Sequence, residues 1–215
     1  MPDQAKRQEI LDASRTMDRL GLNRGSSGNV SLRSGDGFLI TPSGMPPSDM
    51  TPADIVAMSF DGKPRGRRLP SSEWRFHRDI YRARGDAAAV VHAHPPFSVA
   101  LASLRRGIPA FHYMVAMAGG VDIRCAPYAT FGTQELSDLA LEALRGRLAC
   151  LLGNHGMIAL GDSLPHALAL AVEVESLAEG YWRALQIGTP ILLTDAEMAV
   201  VIEKFATYGA NAQPV

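Results

Sequence analysis

The chain is poor in lysine, in cysteine and in long apolar runs, and each shortage removes a class of chemistry. Only three lysines occur among 215 residues: Lys6, Lys63 and Lys204. They fall in a polar terminal segment, an Asp-Gly-Lys-Pro turn and a charged stretch, so none has the apolar surroundings that make an amine a Schiff-base nucleophile. Cys125 and Cys150 stand singly in apolar stretches and read as reduced core thiols. The longest apolar runs, such as Leu164 to Val174, are far shorter than a bilayer span. Met1 to Glu9 is polar and lacks the apolar core of an export signal, so a cytoplasmic protein without a membrane partner is expected. The formal net charge is -1 with both signs interspersed, which leaves no field to attract nucleic acid.

What is present suits one α/β domain over residues 1–215. A hydrophobic content of 47% builds one good core, whereas two domains of half this length would each be marginal. Apolar periodicity predicts a helix over Gln4 to Leu20, closed by Gly21. Short strands follow over Asn29 to Arg33, Gly37 to Thr41 and Ile55 to Phe60, and the basic run Pro64 to Arg68 reads as a solvated loop. Ser71 or Ser72 would cap a helix reaching Gly85, and Ala87 to Val91 forms a buried strand. Further strands are expected near Ile108 to Tyr113, Val121 to Tyr128 and Ala149 to Leu160. Helices are expected after Thr133, from Pro165 to about Gln186, and from Thr194, which forms a capping box with Glu197. Several strands follow one another without helical crossovers, so the expected architecture is a three-layer α-β-α domain with a largely antiparallel central sheet.

Two of the six histidines, His92 and His94, close the apolar strand at 87–91 and sit two residues apart. That spacing puts both rings on one face, with Cα atoms roughly 6.5–7 Å apart, and two such imidazoles can converge on one ion. His155 lies among glycines inside another apolar run; spacing alone leaves a third ligand and a plain strand–turn corner equally open. His77, His112 and His166 lack such surroundings. Three imidazoles without cysteine would leave a dication's charge uncompensated and a coordination position open, which is a Lewis-acid arrangement. Ser26 to Asn29, Ser43-Gly44 and Ser71-Ser72 are ordinary turn and cap residues one by one. Together they offer hydroxyls and backbone N–H groups suited to a phosphate. Glu73, in the first turn of its helix, has a plain role in stabilising the helix dipole and a functional one as a base beside a metal.

At these residues the sequence resembles the class II aldolase/adducin family, in its L-fuculose-1-phosphate aldolase branch. The likeness is carried by Gly-x-x-Gly-Asn-Val-Ser at 25–31, Ile-Thr-Pro-Ser-Gly at 40–44 and Leu-Pro-Ser-Ser-Glu-Trp-Arg-Phe-His at 69–77. It continues through Val-Val-His-Ala-His at 90–94, His112-Tyr113-Met114, the run from Cys125 to Thr133, His155-Gly156 and the segment Glu203 to Gly209. The resemblance implies zinc (with manganese, cobalt or ferrous iron as alternatives) on His92, His94 and His155. Glu73 would be the proton shuttle and an additional ligand of the empty site. It implies a phosphate held by Ser26, Asn29, Ser43, Gly44, Ser71 and Ser72. It further implies a homotetramer in which Tyr113 reaches a neighbouring subunit's site, with Phe131 and Tyr208 lining the aldehyde end.

The implied reaction is reversible cleavage of a ketose 1-phosphate, L-fuculose 1-phosphate by default, to dihydroxyacetone phosphate and L-lactaldehyde. The same chemistry on 5-deoxyribulose or 5-methylthioribulose 1-phosphate is the alternative. Sugar-phosphate epimerases and decarboxylases share the scaffold, but the epimerase branch carries Asp after the paired serines where this chain has Glu73. An adducin-like interaction domain would need no metal site. Departures are few: Ser26 and Ser43 stand where the branch commonly has threonine, and Pro95-Pro96 follows the second histidine.

Overall fold

The computed structural model describes residues 3 to 207. Its first helix, α1 (Gln4–Arg19), buries Ile10, Leu11 and Met17 and is followed by Gly21 at φ +72°, a left-handed position that favours glycine. The strands β1 (Asn29–Ser34), β2 (Gly37–Ile40), β3 (Val56–Ser59) and β4 (Pro64–Arg65) come next, then α2 (Trp74–Ala83), β5 (Ala89–Ala93) and α3 (Pro96–Ser103). A 3-10 segment at Tyr113–Ala118 leads to β6 (Arg124–Ala126), α4 (Gln134–Ala143), β7 (Ala149–Leu152), β8 (Gly156–Gly161), α5 (Leu164–Ile187) and α6 (Asp195–Thr207).

The eight strands form one sheet in the order β4-β3-β2-β1-β5-β8-β7-β6. The sheet is mixed, which corrects the largely antiparallel sheet expected from the sequence. Along the edge β7 and β6 run parallel, because α4 provides the helical crossover that a parallel pair requires. The remaining neighbours are antiparallel.

Both faces are covered, so the central strands are apolar on both sides. Val91 and Ala93 of β5 pack with Met157 and Ala159 of β8 under α1, α3 and α5. Val90 packs with Ile158 and Leu160 under α2 and α4. This alternation along β5 puts His92 on the α2 side, where its ring meets Phe76 edge-on at 5.4 Å.

Two further expectations are corrected. Residues 108–113 do not form a strand: Ile108 makes a single bridge to Ile123, and Pro109, lacking an N–H, cannot extend it. Pro95-Pro96 ends the strand as expected but also opens α3, which the sequence reading did not contain. The amides of Phe97 and Ser98 at its start donate to the carboxylate of Glu175 on α5, each at 2.8 Å. A cap from 77 residues away leaves no local signature. The Thr194–Glu197 capping box is observed, with each residue accepting the other's amide.

Candidate metal centre and adjoining cleft

Three separate stretches of chain converge at one end of β5. His92 lies within β5, paired to Asn29 on β1 and to Ile158 on β8, and His94 follows just past the strand end. His155 sits in the tight turn between β7 and β8. Its amide donates to Leu152 O at 3.0 Å, and Asn154 before it takes the left-handed conformation at φ +56°. Gly156 permits this approach: a Cβ there would lie 2.4 Å from Ala93 O and 2.7 Å from His94 Cδ2. Glu73 occupies the N-cap position of α2 rather than its first turn, and neither paired serine caps that helix with its side chain. Ser71 instead receives the Glu73 amide on its hydroxyl at 3.3 Å.

One ligand atom from each of Glu73, His92, His94 and His155 lies within 4.8 Å of the others. His92 and His94 bring their Nε2 atoms to 2.8 Å, and the three ring centroids stand 4.7–4.9 Å apart. Glu73 Oε2 is 3.1 Å from His92 Nε2, and Oε1 is 3.2 Å from His155 Nε2. His92 Nδ1 donates to Met157 O at 2.8 Å, which fixes the ring so that Nε2 is the atom turned toward its neighbours.

Burial pushes the Glu73 carboxyl up, but the imidazoles of His92 and His155 and the Asn29 amide outweigh it and hold the group well below the carboxylate range. Burial and the other two rings push His94 down to about 3, and burial and His92 bring His155 to about 4. For His92, burial acts downward while Glu73 and Met157 act upward, and the net is above its ordinary value.

This donor set fits a divalent cation. His92 Nδ1 is committed to Met157 O, so the His92 Nε2 lone pair faces His94 Nε2, and one divalent cation could accept both nitrogen lone pairs at once. Glu73 Oε1 is buried without a hydrogen-bond donor among the described residues.

The cluster opens into a cleft of about 330 Å³. A bridge between Pro42 and Pro70, reinforced by the Ser71 amide donating to Thr41 O at 3.0 Å, brings two of the serine-rich loops together. Every residue expected to hold phosphate lines this cleft: Ser26, Asn29, Ser43, Gly44, Ser71 and Ser72. Phe131 also lines it and is mostly exposed. Among the described residues no lysine or arginine lines it. Tyr113 does not line the cleft of its own chain; it is half exposed and stacks on Phe205 at 6.5 Å. Tyr208 lies outside the described residues.

The sequence reading missed several participants. Asn23 accepts the His94 amide at 2.9 Å, and Tyr128 and Asn154 line the cleft. His77, set aside for want of context, is fully buried against Asn29. Its signal was its position four residues after Glu73, one helical turn along the same face.

Residues 8–182 match the family described as Class II Aldolase and Adducin N-terminal domain. The chain is 61% identical to the 5-methylthioribulose-1-phosphate/5-deoxyribulose-1-phosphate aldolase of Rhodospirillum rubrum over 209 residues, covering 97% of this chain and 95% of that protein. It is 53% identical to the L-fuculose phosphate aldolase of Escherichia coli K12 over 207 residues, covering 96% of each. A solved L-fuculose 1-phosphate aldolase superposes with a TM-score of 0.93 at 40% identity, covering 96% of this chain and 98% of its own. With a matching fold, a matching length and four clustered metal-type ligands, the chain belongs to the class II aldolase and adducin family.

Proposed function

We propose that the chain is a metal-dependent aldehyde-lyase. It reversibly cleaves a ketose 1-phosphate, by default L-fuculose 1-phosphate, to dihydroxyacetone phosphate and L-lactaldehyde in the cytoplasm. The observation that carries this reading is four ligand atoms within 4.8 Å beside a cleft walled by serines and glycine. His92, His94 and His155 would hold one zinc ion, with manganese, cobalt or ferrous iron as alternatives, and Glu73 is positioned to join them before substrate arrives. Bound there, the ion would supply Lewis acidity that offsets the negative charge developing as the carbon–carbon bond breaks.

The protein's own groups do the rest. Ser26, Asn29, Ser43, Gly44, Ser71 and Ser72 hold the phosphate by neutral donors and set its distance from Glu73. The Glu73 carboxylate takes a proton from dihydroxyacetone phosphate in the synthetic direction and returns it to the same carbon after cleavage. Tyr113 from a neighbouring copy gives a proton to the aldehyde oxygen during synthesis; its half-exposed ring, outside its own cleft, supports a homotetramer that shares sites. Phe131, with Tyr208 of the tail, flanks the aldehyde.

The 61% identical relative favours a second reading of the aldehyde half, in which 5-deoxyribulose or 5-methylthioribulose 1-phosphate replaces L-fuculose 1-phosphate. Stripping the protein with a chelator should abolish turnover and zinc should restore it; full turnover by metal-free protein would defeat the proposal. The ratio of kcat/KM across the three sugar phosphates then separates the two readings.

A further inference from the structure

From Glu73 and Asn29, which both line the cleft, polar residues of α2 and β1 continue into the interior in matched steps. Glu73, His77 and Tyr81 are four residues apart on one side of α2, and Asn29 and Ser31 are two apart on one side of β1. All five are buried, His77 and Ser31 completely. The Asn29 amide nitrogen is 3.0 Å from Glu73 Oε2, and its oxygen contacts His77 Nε2. His77 Nδ1 is 2.6 Å from Ser31 Oγ, which is 2.8 Å from the Tyr81 hydroxyl.

The direction of every hydrogen bond in this row follows from its end. An ionised carboxylate only accepts, so Asn29 must turn its NH2 toward Glu73 and its carbonyl oxygen toward His77. That oxygen only accepts, so His77 must carry its proton on Nε2 and donate it. A fully buried imidazole touching no carboxylate stays neutral, so its Nδ1 is an acceptor and Ser31 donates to it. The single serine proton is then spent, and the Tyr81 hydroxyl must donate to Ser31. Four donors in series all point at Glu73 Oε2, while Oε1 has no hydrogen-bond donor among the described residues.

We propose that His77, backed by Ser31 and Tyr81, is a positioning residue that locks the Asn29 amide and so fixes Glu73 with Oε2 held and Oε1 left to move the proton. This rests on Glu73 being the acid/base of the reaction proposed above. A histidine serving only to fill the core could take either tautomer and would not care about the identity of a hydroxyl two bonds away. A positioning residue must keep one tautomer and must lose proton transfer when the row is cut.

Both requirements are measurable. In metal-free and zinc-loaded protein, the 15N shifts of the His77 ring should show Nε2 protonated and Nδ1 bare; a proton on Nδ1 would overturn the proposal. At saturating dihydroxyacetone phosphate, His77→Leu should slow proton exchange into that ligand roughly 10–100-fold, with zinc content unchanged. His77→Gln, which retains an N–H donor toward Asn29, should recover most of that loss, and an equal loss in both variants would count against the donor role. Tyr81→Phe should show a smaller loss, and it tests the row without altering His77 should His77→Leu not fold. Undiminished exchange in both His77→Leu and Tyr81→Phe would overturn the proposal. In a Glu73→Gln background His77→Leu should slow exchange no further, whereas an additive loss would mean His77 acts elsewhere. If Glu73→Gln alone leaves exchange intact, the acid/base assignment itself falls, an outcome distinct from failure of the row.

Discussion

Two of the carboxylates buried among the described residues, Asp54 and Glu73, are satisfied in opposite ways. Asp54 is 2% exposed and Glu73 6%. Asp54 Oδ2 receives the Thr51 amide at 3.0 Å and the Thr51 hydroxyl at 2.6 Å, while Oδ1 receives Arg67 and Arg68 at 2.9 Å each. Burial raises the Asp54 carboxyl, but Thr51 and the two guanidiniums more than reverse this and leave it well below its ordinary value. Glu73 is also held low, yet by imidazoles and the Asn29 amide, and one of its oxygens has no hydrogen-bond donor among the described residues. A depressed carboxyl therefore does not by itself separate scaffold from site. The partners do. Arginines are permanent cations that close the arrangement, whereas three histidines are neutral ligands whose positive charge must come from a proton or a metal ion.

The comparison breaks most sharply at Glu73. Glu73→Gln should cut proton exchange into dihydroxyacetone phosphate, followed as deuterium loss by NMR, by about 10²–10⁴-fold while zinc content persists. Exchange at the parent rate would show that Glu73 is as structural as Asp54. A smaller but still large effect is expected at Gly156, where the added methyl of Gly156→Ala meets Ala93 O and the His94 ring. Displacing that ring should weaken zinc binding roughly 10–100-fold in competition with a chelator. Parent-like affinity would mean the turn yields without disturbing His94.

The sequence was most informative where geometry repeats. Alternation along β5 put His92 and His94 on one face, and the structure keeps them there with Nε2 atoms 2.8 Å apart. The helical step from Glu73 to His77 to Tyr81 and the strand step from Asn29 to Ser31 were equally regular, but their meaning depends on α2 lying against β1, a contact between segments more than 40 residues apart. His155 needed the turn between β7 and β8 and the bare backbone of Gly156, neither of which spacing could specify. The α3 helix was hidden because its cap, Glu175, comes from another helix. The parallel β6/β7 edge was missed because the helix after Thr133 was not recognised as a crossover. The basic run at 64–68 looked solvated, yet Arg67 and Arg68 turn back to Asp54 while remaining half exposed. Only the fold brings their partner near.

The mildest test lies at Asp54, whose role should be stability alone. Both guanidiniums stay half exposed and screened, so Asp54→Asn should cost about 1–2 kcal/mol at pH 7, a fall in Tm of a few degrees, with zinc content unchanged. The pH dependence fixes the cause. A carboxyl whose folded pKa lies below its unfolded value, about 4, stabilises the fold above that value. The contribution then declines as pH falls toward the folded pKa, because the unfolded chain takes up the proton first. The gap in Tm between parent and Asp54→Asn should therefore be widest near neutrality and narrow below about pH 4. A gap that stays constant into acid would show that packing, rather than the charge held by Thr51, Arg67 and Arg68, anchors this corner. A loss of zinc in the same variant would join the two carboxylates into one system and remove the contrast drawn between them.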